Sequence, residues 1–154
     1  MKIRVVSVGK PKDPRWSAIH DDYAKRIARI GVAYDTKWVR EVKADGAFSD
    51  DHVREREAVS LAEALEPKST VVTLDTSGEL LDSEGLASRL ERWAARHASF
   101  VIGGPLGLHR SLVGRADARW ALSPLTFPHE MVRAVLAEQL YRALTILRGI
   151  PYHK

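Results

Sequence analysis

The sequence predicts a three-layer α/β domain built on a mostly parallel β-sheet. Short apolar, β-branched runs alternate along the chain with segments of helical periodicity. Two of these runs, Thr70–Asp75 and Ser99–Ile102, are almost continuously apolar, as strands covered on both faces are. The 154 residues contain no internal repeat and no linker, so we expect a single domain spanning residues 1–154.

The first half of the chain supplies two strands and one helix before a polar segment. Lys2–Val8 is a β-branched strand, and Pro14–Ile30 has apolar residues at helical spacing. Gly31 ends that helix, and Val32–Val42 forms the second strand. The segment Lys43–Asp50 has no periodicity and predicts a loop.

The remaining elements continue the alternation. Asp51–Leu65 is a helix with one apolar side, and Ser83 can cap another that runs to about Arg96. Ala118–Leu122 is a short strand that follows the buried strand at residues 99–102. A long helix spans Pro128–Arg148, because a proline suits the first helical turn.

Composition narrows the function classes. Hydrophobic residues make up 45% and charged residues 29%, the balance of a globular protein. The absence of cysteine excludes disulfides, thiolate nucleophiles and zinc–thiolate sites, and the six histidines show no metal-ligand spacing. No apolar run approaches the ~20 residues of a membrane span. The opening strand carries charges, unlike a signal peptide, so we expect a cytoplasmic protein without a membrane or metal site.

Positive charge is concentrated in the second half. Residues 85–154 hold ten Lys and Arg against four Asp and Glu, and nine of the ten are arginines. Arginine's planar guanidinium suits phosphate, so a nucleic-acid substrate is one interpretation. A solvated, arginine-rich surface is the other.

Two tight loops indicate a small-molecule pocket. The first is Ile102-Gly-Gly-Pro-Leu-Gly-Leu108, and the second is Leu122-Ser-Pro-Leu-Thr-Phe-Pro-His129. Glycine lets the backbone approach a ligand and proline fixes the loop around it. The first loop lacks both the dinucleotide-binding pattern and the P-loop pattern, and Pro105 has no N–H to offer a phosphate. A plain strand-to-helix turn is the structural alternative.

The last helix and the tail suggest assembly and chemistry. Large apolar side chains of residues 128–148 cover roughly 220° of the helix circumference, which exceeds what one sheet face needs and predicts a homodimer. Gln139 and Arg142 fall inside this arc and are candidates for an interface or a site. The tail places Tyr152, His153 and a lysine together, for stacking, proton exchange and phosphate contact. Frayed tails without a role are the alternative.

These motifs, with the run Val132-Arg-Ala-Val-Leu-Ala-Glu-Gln-Leu-Tyr-Arg-Ala143 and the ending Pro-Tyr-His-Lys154, resemble the ribosomal RNA large subunit methyltransferase H family. The opening strand and Val-Thr-Leu-Asp75 match too, so the resemblance covers essentially the whole chain. It implies the SPOUT superfamily, an α/β fold whose C-terminal part forms a deep trefoil knot, an exception to the usual absence of knots. It also implies an obligate homodimer that uses S-adenosylmethionine to methylate N3 of a pseudouridine in large-subunit rRNA within the ribosome.

The resemblance assigns residues to the site. The cofactor would be held by Leu74, Gly103, Leu122, Ser123, Pro124, Leu125, Thr126 and Phe127. Arg142 would hold a phosphate or the base, Tyr152 would stack, and His153 is preferred over His129 and Glu138 as proton acceptor. A non-catalytic RNA-binding module is the competing hypothesis. A nicotinamide oxidoreductase is disfavoured, because an early glycine fingerprint and a ribose-binding acid are absent.

Overall fold

The computed structural model describes residues 1–43, 46 and 48–154. Within these residues, five strands form one sheet in the order β2-β1-β4-β3-β5, and every neighbouring pair is parallel. The strands are β1 (Lys2–Val8), β2 (Ala33–Val39), β3 (Thr70–Leu80), β4 (His97–Ile102) and β5 (Ala118–Ala121). The predicted parallel α/β class is confirmed, and all strands place their carboxyl ends at one edge.

Helices cover both faces of the sheet. They are α1 (Pro14–Arg29), α2 (Asp50–Ala64), α3 (Ser83–Trp93), α4 (Arg110–Val113) and α5 (His129–Leu147). On one face, Ile3 and Val5 of β1 share a core with α1, α3 and α5. On the other face, Val6 and Val8 pack against α2 and α4. The alternation follows the two-residue period of a strand. No helix in the described part of the chain combines the length and apolar composition needed to cross a membrane.

The wide apolar arc of α5 is explained inside one protomer. α5 lies between α1 and α3 on the sheet, so it is covered from three directions. Leu136, Leu140 and Leu144 are completely or almost completely buried there. The arc therefore does not by itself require a second subunit. The dimer stays a prediction that needs other support.

Several element boundaries also differ from the prediction. β2 ends at Val39, α3 ends before Arg96, and β4 begins at His97. The short helix α4 was not predicted. Pro128 is the residue that precedes α5 rather than part of its first turn. Of the loop predicted at residues 43–50, residues 44, 45 and 47 lie outside the described residues, and residue 50 already begins α2.

β3 shows the largest difference, because it continues past Asp75 to Leu80. Leu74 and Glu79 both align with Trp120 of β5, so the residues between them bulge out of the pairing. A Cβ atom on Gly78 would lie 2.7 Å from the backbone of Trp120, which leaves room for glycine only. A glycine inside a strand often marks such a bulge. The trefoil knot stays a prediction of the family resemblance.

Candidate active site

A cleft of about 170 Å³ opens at the carboxyl edge of the sheet. The ends of β3 and β4, the loop after β5 and the first turns of α5 enclose it. Ligands of open parallel α/β sheets bind at this edge. Of the residues assigned to the cofactor from sequence, the structure brings these together around the cleft: Leu74, Gly103, Leu122, Ser123, Leu125, Thr126 and Phe127. Pro124 is exposed and does not line the cleft.

The first loop closes on itself through its main chain. The N–H of Gly107 donates to the carbonyl of Gly104 at 2.9 Å, which makes a tight turn with Pro105 at its second position. A Cβ atom on Gly103 would lie 2.8 Å from the carbonyl carbon of Gly107. The missing side chain of Gly103 therefore makes room for the loop's own backbone, rather than for a ligand as the sequence suggested.

The second loop presents apolar side chains over the cleft. The N–H of Leu125 donates to the Ser123 hydroxyl at 3.0 Å, which fixes the turn. The Leu125 side chain is 69% exposed, an unusual degree for a large apolar residue at a cleft. Such a side chain forms a wall that a flat apolar ligand or a second molecule can cover.

Polar and further apolar residues complete the lining. Sequence reasoning did not assign these to the cofactor: Asp75, Thr76, Ile102, Gly104, His129 and Val132. Asp75 lies in the bulge of β3, where its carboxylate accepts the backbone N–H of Ser77 at 2.7 Å. A polar residue at the carboxyl end of a buried strand was the available signal for Asp75. Asp75 and His129 supply ionisable groups to a lining whose other members are apolar residues, glycines and the hydroxyl residues Thr76, Ser123 and Thr126.

A second polar cluster lies farther along α5. The carboxylate of Glu138 accepts the Nε of Arg142 at 3.0 Å and the hydroxyl of Tyr152 at 2.9 Å. The Arg142 guanidinium lies 4.7 Å from the centre of the Tyr152 ring, at cation–π distance. Tyr23 of α1 adds a hydroxyl contact to Tyr152 at 3.1 Å. The tail therefore folds back onto α5 and α1 rather than fraying.

The ionisation of this cluster follows from its contacts. The hydrogen bond and charge of Glu138 raise the pKa of Arg142, which stays cationic. Burial, and then the contacts with Tyr23 and Glu138, raise the pKa of Tyr152, so its phenol stays protonated at neutral pH. Arg142 Nη1 lies 3.5 Å from Nδ1 of His153, and His153 itself is exposed. Glu138 and the Tyr152 ring thus orient the Arg142 guanidinium, and its Nη1 edge lies toward His153.

The cleft and this cluster are separate within one protomer. His129 lines the cleft and Arg142 comes thirteen positions later on the same helix. That separation corresponds to about 20 Å along the helix axis. Val132 of the cleft and Glu138 of the cluster are closer, six positions or about 9 Å apart along the helix, so a tail that lies beside its own cofactor loops stays a prediction. Arg142, Tyr152 and His153 are brought together with each other but not with the cleft.

Comparison with known proteins agrees with this architecture: a parallel α/β protein with a loop-lined cleft at the carboxyl edge. Residues 1–153 match the family model described as "Predicted SPOUT methyltransferase". The chain belongs to this family, whose chemistry is methyl transfer. The fold also resembles a solved structure described as a probable methylase family protein from Haemophilus influenzae Rd KW20. The match has a TM-score of 0.56 and 12% identity, and covers 99% of this chain and 70% of that one. That likeness supports the fold alone.

Proposed function

We propose that the protein transfers a methyl group from S-adenosylmethionine to N3 of a pseudouridine in large-subunit rRNA, acting as a homodimer on the ribosome. The observation that carries the proposal is the cleft, in which a glycine-rich loop and a proline-containing loop meet at the carboxyl edge in a SPOUT methyltransferase. The rRNA target and the ribosome come from the resemblance of the C-terminal motifs to the methyltransferase H family.

The lining of the cleft fits the nucleoside part of the donor. Adenine is flat and apolar with polar edges, which suits a slot of main-chain groups walled by Leu74, Leu122 and Leu125. The carboxylate of Asp75 offers a negative charge to a cationic donor. When bound, S-adenosylmethionine would supply the electrophilic methyl group.

The size of the cleft favours a second subunit. Its volume of about 170 Å³ is below the ~300–1,000 Å³ of pockets for drug-sized ligands. Part of a bound nucleoside would then remain at the open mouth, where Leu125 is exposed. A second copy of the chain covering this mouth would complete the site.

The tail cluster is the part that the second copy would bring. None of Arg142, Tyr152 and His153 lines the cleft of its own protomer, yet together they are groups that suit an RNA base. Arg142, oriented by Glu138 and Tyr152, would hold a phosphate or the base. His153 is exposed, and its contact with Arg142 is long, so the imidazole can turn to accept the N3 proton. Tyr152 acts here by positioning Arg142.

Orientation would supply most of the acceleration. Holding the acceptor nitrogen in line with the methyl group can contribute roughly 7–11 kcal/mol. Proton acceptance by His153 adds a factor of about 10²–10⁴. The arginine-rich second half of the chain would bind the phosphates of the RNA.

Two measurements test the function together. Calorimetric titration should show saturable binding of S-adenosylmethionine by the purified protein. Mass spectrometry of rRNA from a strain that lacks the gene should show one pseudouridine without its N3 methyl group, restored by the wild-type gene. RNA binding without donor binding would instead support a non-catalytic RNA-binding module.

Mixed dimers test whether two subunits share each site. Gly103→Val damages the cleft, and deletion of residues 152–154 removes part of the tail. Each variant alone should have little activity when the donor concentration is well below the dissociation constant of Gly103→Val. If the cleft of one subunit works with the tail of the other, mixing the two should restore about a quarter of wild-type activity, since half of the dimers are mixed and each contains one intact site. A mixture as inactive as its components would contradict a shared site.

A further inference from the structure

A second cavity lies beside the cleft and is not used by the proposed chemistry. It encloses about 210 Å³ near the carboxyl ends of β1 and β2, between the starts of α1 and α5. The two cavities have no lining residue in common. The first turns of α5 separate them, because Glu130 and Arg133 line this cavity while His129 and Val132 line the cleft. We call it the Arg133 pocket.

Arg133 brings an incompletely paired charge to this pocket. Its side chain is buried, with 7% of the residue exposed, and its Nη2 donates to the carbonyls of Val8 and Gly9. Its Nε and Nη1 have no hydrogen-bond partner among the described residues. No carboxylate of the described chain lies within 4.0 Å of this guanidinium. Burial lowers the pKa of Arg133, and the charge of Glu130 offsets this only in part, so an anion in the pocket would offset more of the cost of burying the cation.

The acidic groups of the pocket are engaged elsewhere. The carboxylate of Glu130 accepts the backbone N–H groups of Lys12 and Asp13 at 2.9 and 2.8 Å. The carboxylate of Asp21 lies 3.0 Å from Nδ1 of His20. Lys37 of β2 adds a second cation to the lining. The arrangement favours an anion over a cation as the ligand.

Two indole rings complete the lining of the Arg133 pocket. Trp16 of α1 and Trp38 of β2 line the pocket, and Trp38 is 51% exposed although it is a large apolar residue. Aromatic rings beside cations are the features with which proteins bind single-stranded RNA, through stacked bases and neutralised phosphates. The volume is also below the ~300–1,000 Å³ of pockets for drug-sized ligands, so part of a nucleotide would lie outside it, and a duplex is excluded.

From these features we infer that the Arg133 pocket binds one single-stranded ribonucleotide that flanks the target base, with its phosphate toward Arg133 and Lys37 and its base against Trp38. This rests on the proposed function in taking RNA as the substrate. It goes beyond that function by giving the protein a second nucleotide site next to the cofactor cleft, on the same helix.

The test measures binding of a fluorescein-labelled single-stranded oligoribonucleotide by anisotropy, with the full chain. Trp38→Ala should weaken binding about fivefold to a hundredfold, the range for one stacked base. Lys37→Gln should weaken it less and lower the slope of log affinity against log salt by about 1. Val59→Ala and Lys25→Gln are the matched controls, since Val59 is also largely exposed, on the opposite face of the sheet, and Lys25 does not line the pocket.

The outcomes separate this inference from the proposed function. Unchanged RNA affinity in both pocket variants would contradict nucleotide binding in the Arg133 pocket. A wild-type chain that binds no oligoribonucleotide would contradict it as well. Loss of self-association in Trp38→Ala, with RNA affinity intact, would make the pocket a subunit interface and also overturn it. Donor binding is measured separately by calorimetry. A chain that binds RNA through Trp38 but does not bind S-adenosylmethionine would support the pocket and contradict the proposed function.

Discussion

The two ends of α5 carry two different kinds of site. At its start, the cleft is shaped by main chain and apolar walls, with a glycine turn that closes on its own backbone. Farther along, the Glu138–Arg142–Tyr152 cluster consists of ionisable side chains held by one another. In the proposed function the first would bind by shape and the second by charge. A methyl transfer to RNA needs both, because the donor must be held in place and the acceptor must be oriented and deprotonated.

Removing the tail should have the largest effect. Deletion of Tyr152–Lys154 takes away His153 and the ring that holds Arg142. We expect the methylation rate to fall at least a hundredfold, because base assistance alone contributes about 10²–10⁴. Affinity for S-adenosylmethionine should fall less than the rate, since every residue that lines the cleft is retained. Rates come from single-turnover methylation of ribosomes, and Lys25→Gln, an exposed change on α1, is the control. An unchanged rate would show that the tail has no catalytic role.

Damaging the glycine turn should affect mainly the binding of S-adenosylmethionine, whereas removing the tail should affect mainly the methylation rate. Gly103→Val forces a side chain against Gly107 and Leu108, and such overpacking costs about 1–3 kcal/mol. If the loop must keep its shape to bind the donor, calorimetry should show affinity weakened about fivefold to a hundredfold. Gly107→Asn is the matched control, since its Cβ would meet nothing within 4 Å and asparagine tolerates a positive φ. Equal losses in both variants would contradict the steric explanation.

A charge on the outer side of α5 should affect assembly rather than either site. Val135 is half-buried and is not among the residues packed against the core, unlike Ile146. Val135→Asp should therefore weaken self-association tenfold or more if this side meets a second copy, because an unpaired charge would be buried there. Sedimentation velocity over a range of protein concentrations measures the self-association, and Val59→Asp is the control. A wild-type chain that is monomeric at micromolar concentration would contradict the predicted dimer.

The contrast between the main-chain cleft and the side-chain cluster also explains which features could be predicted from the sequence. Glycines and prolines act locally, so Gly103 and the loop from Leu122 to Phe127 indicate a cleft from their residue types alone. The bulge of β3 was missed because Gly78 acts through a contact with Trp120, forty-two positions away. The residue types of the tail single out Tyr152 and His153 as candidates. Their position relative to the cleft could not be predicted, because periodicity does not locate the tail on the folded surface. The width of the α5 arc does not separate the two sources of burial either, since neighbouring helices cover part of it.

The smallest expected effect concerns the support of the cleft from the opposite face. Glu57 of α2 is buried, and its Oε2 lies 3.2 Å from where a Cβ on Gly104 would be. Its Oε1 accepts the backbone N–H of Val42 at 3.0 Å. Burial, and to a lesser extent the charge of Glu41, raise the pKa of Glu57 above its usual 4.5. The folded state therefore binds this proton more tightly than the unfolded state does.

The sign of the pH dependence follows from that raised pKa. The contribution of Glu57 to stability is full below about pH 4.5 and declines as pH rises through the raised value. Glu57→Gln keeps an acceptor for Val42 and removes the buried charge. Its free energy of unfolding in urea should equal that of wild type near pH 4 and exceed it at pH 7, by no more than about 1 kcal/mol, the scale of a single net hydrogen bond. Glu63→Gln, an exposed change of equal charge on the same helix, should show no such divergence. A Glu57→Gln variant less stable than wild type at pH 7 would mean that the carboxylate stabilises the glycine turn through its charge.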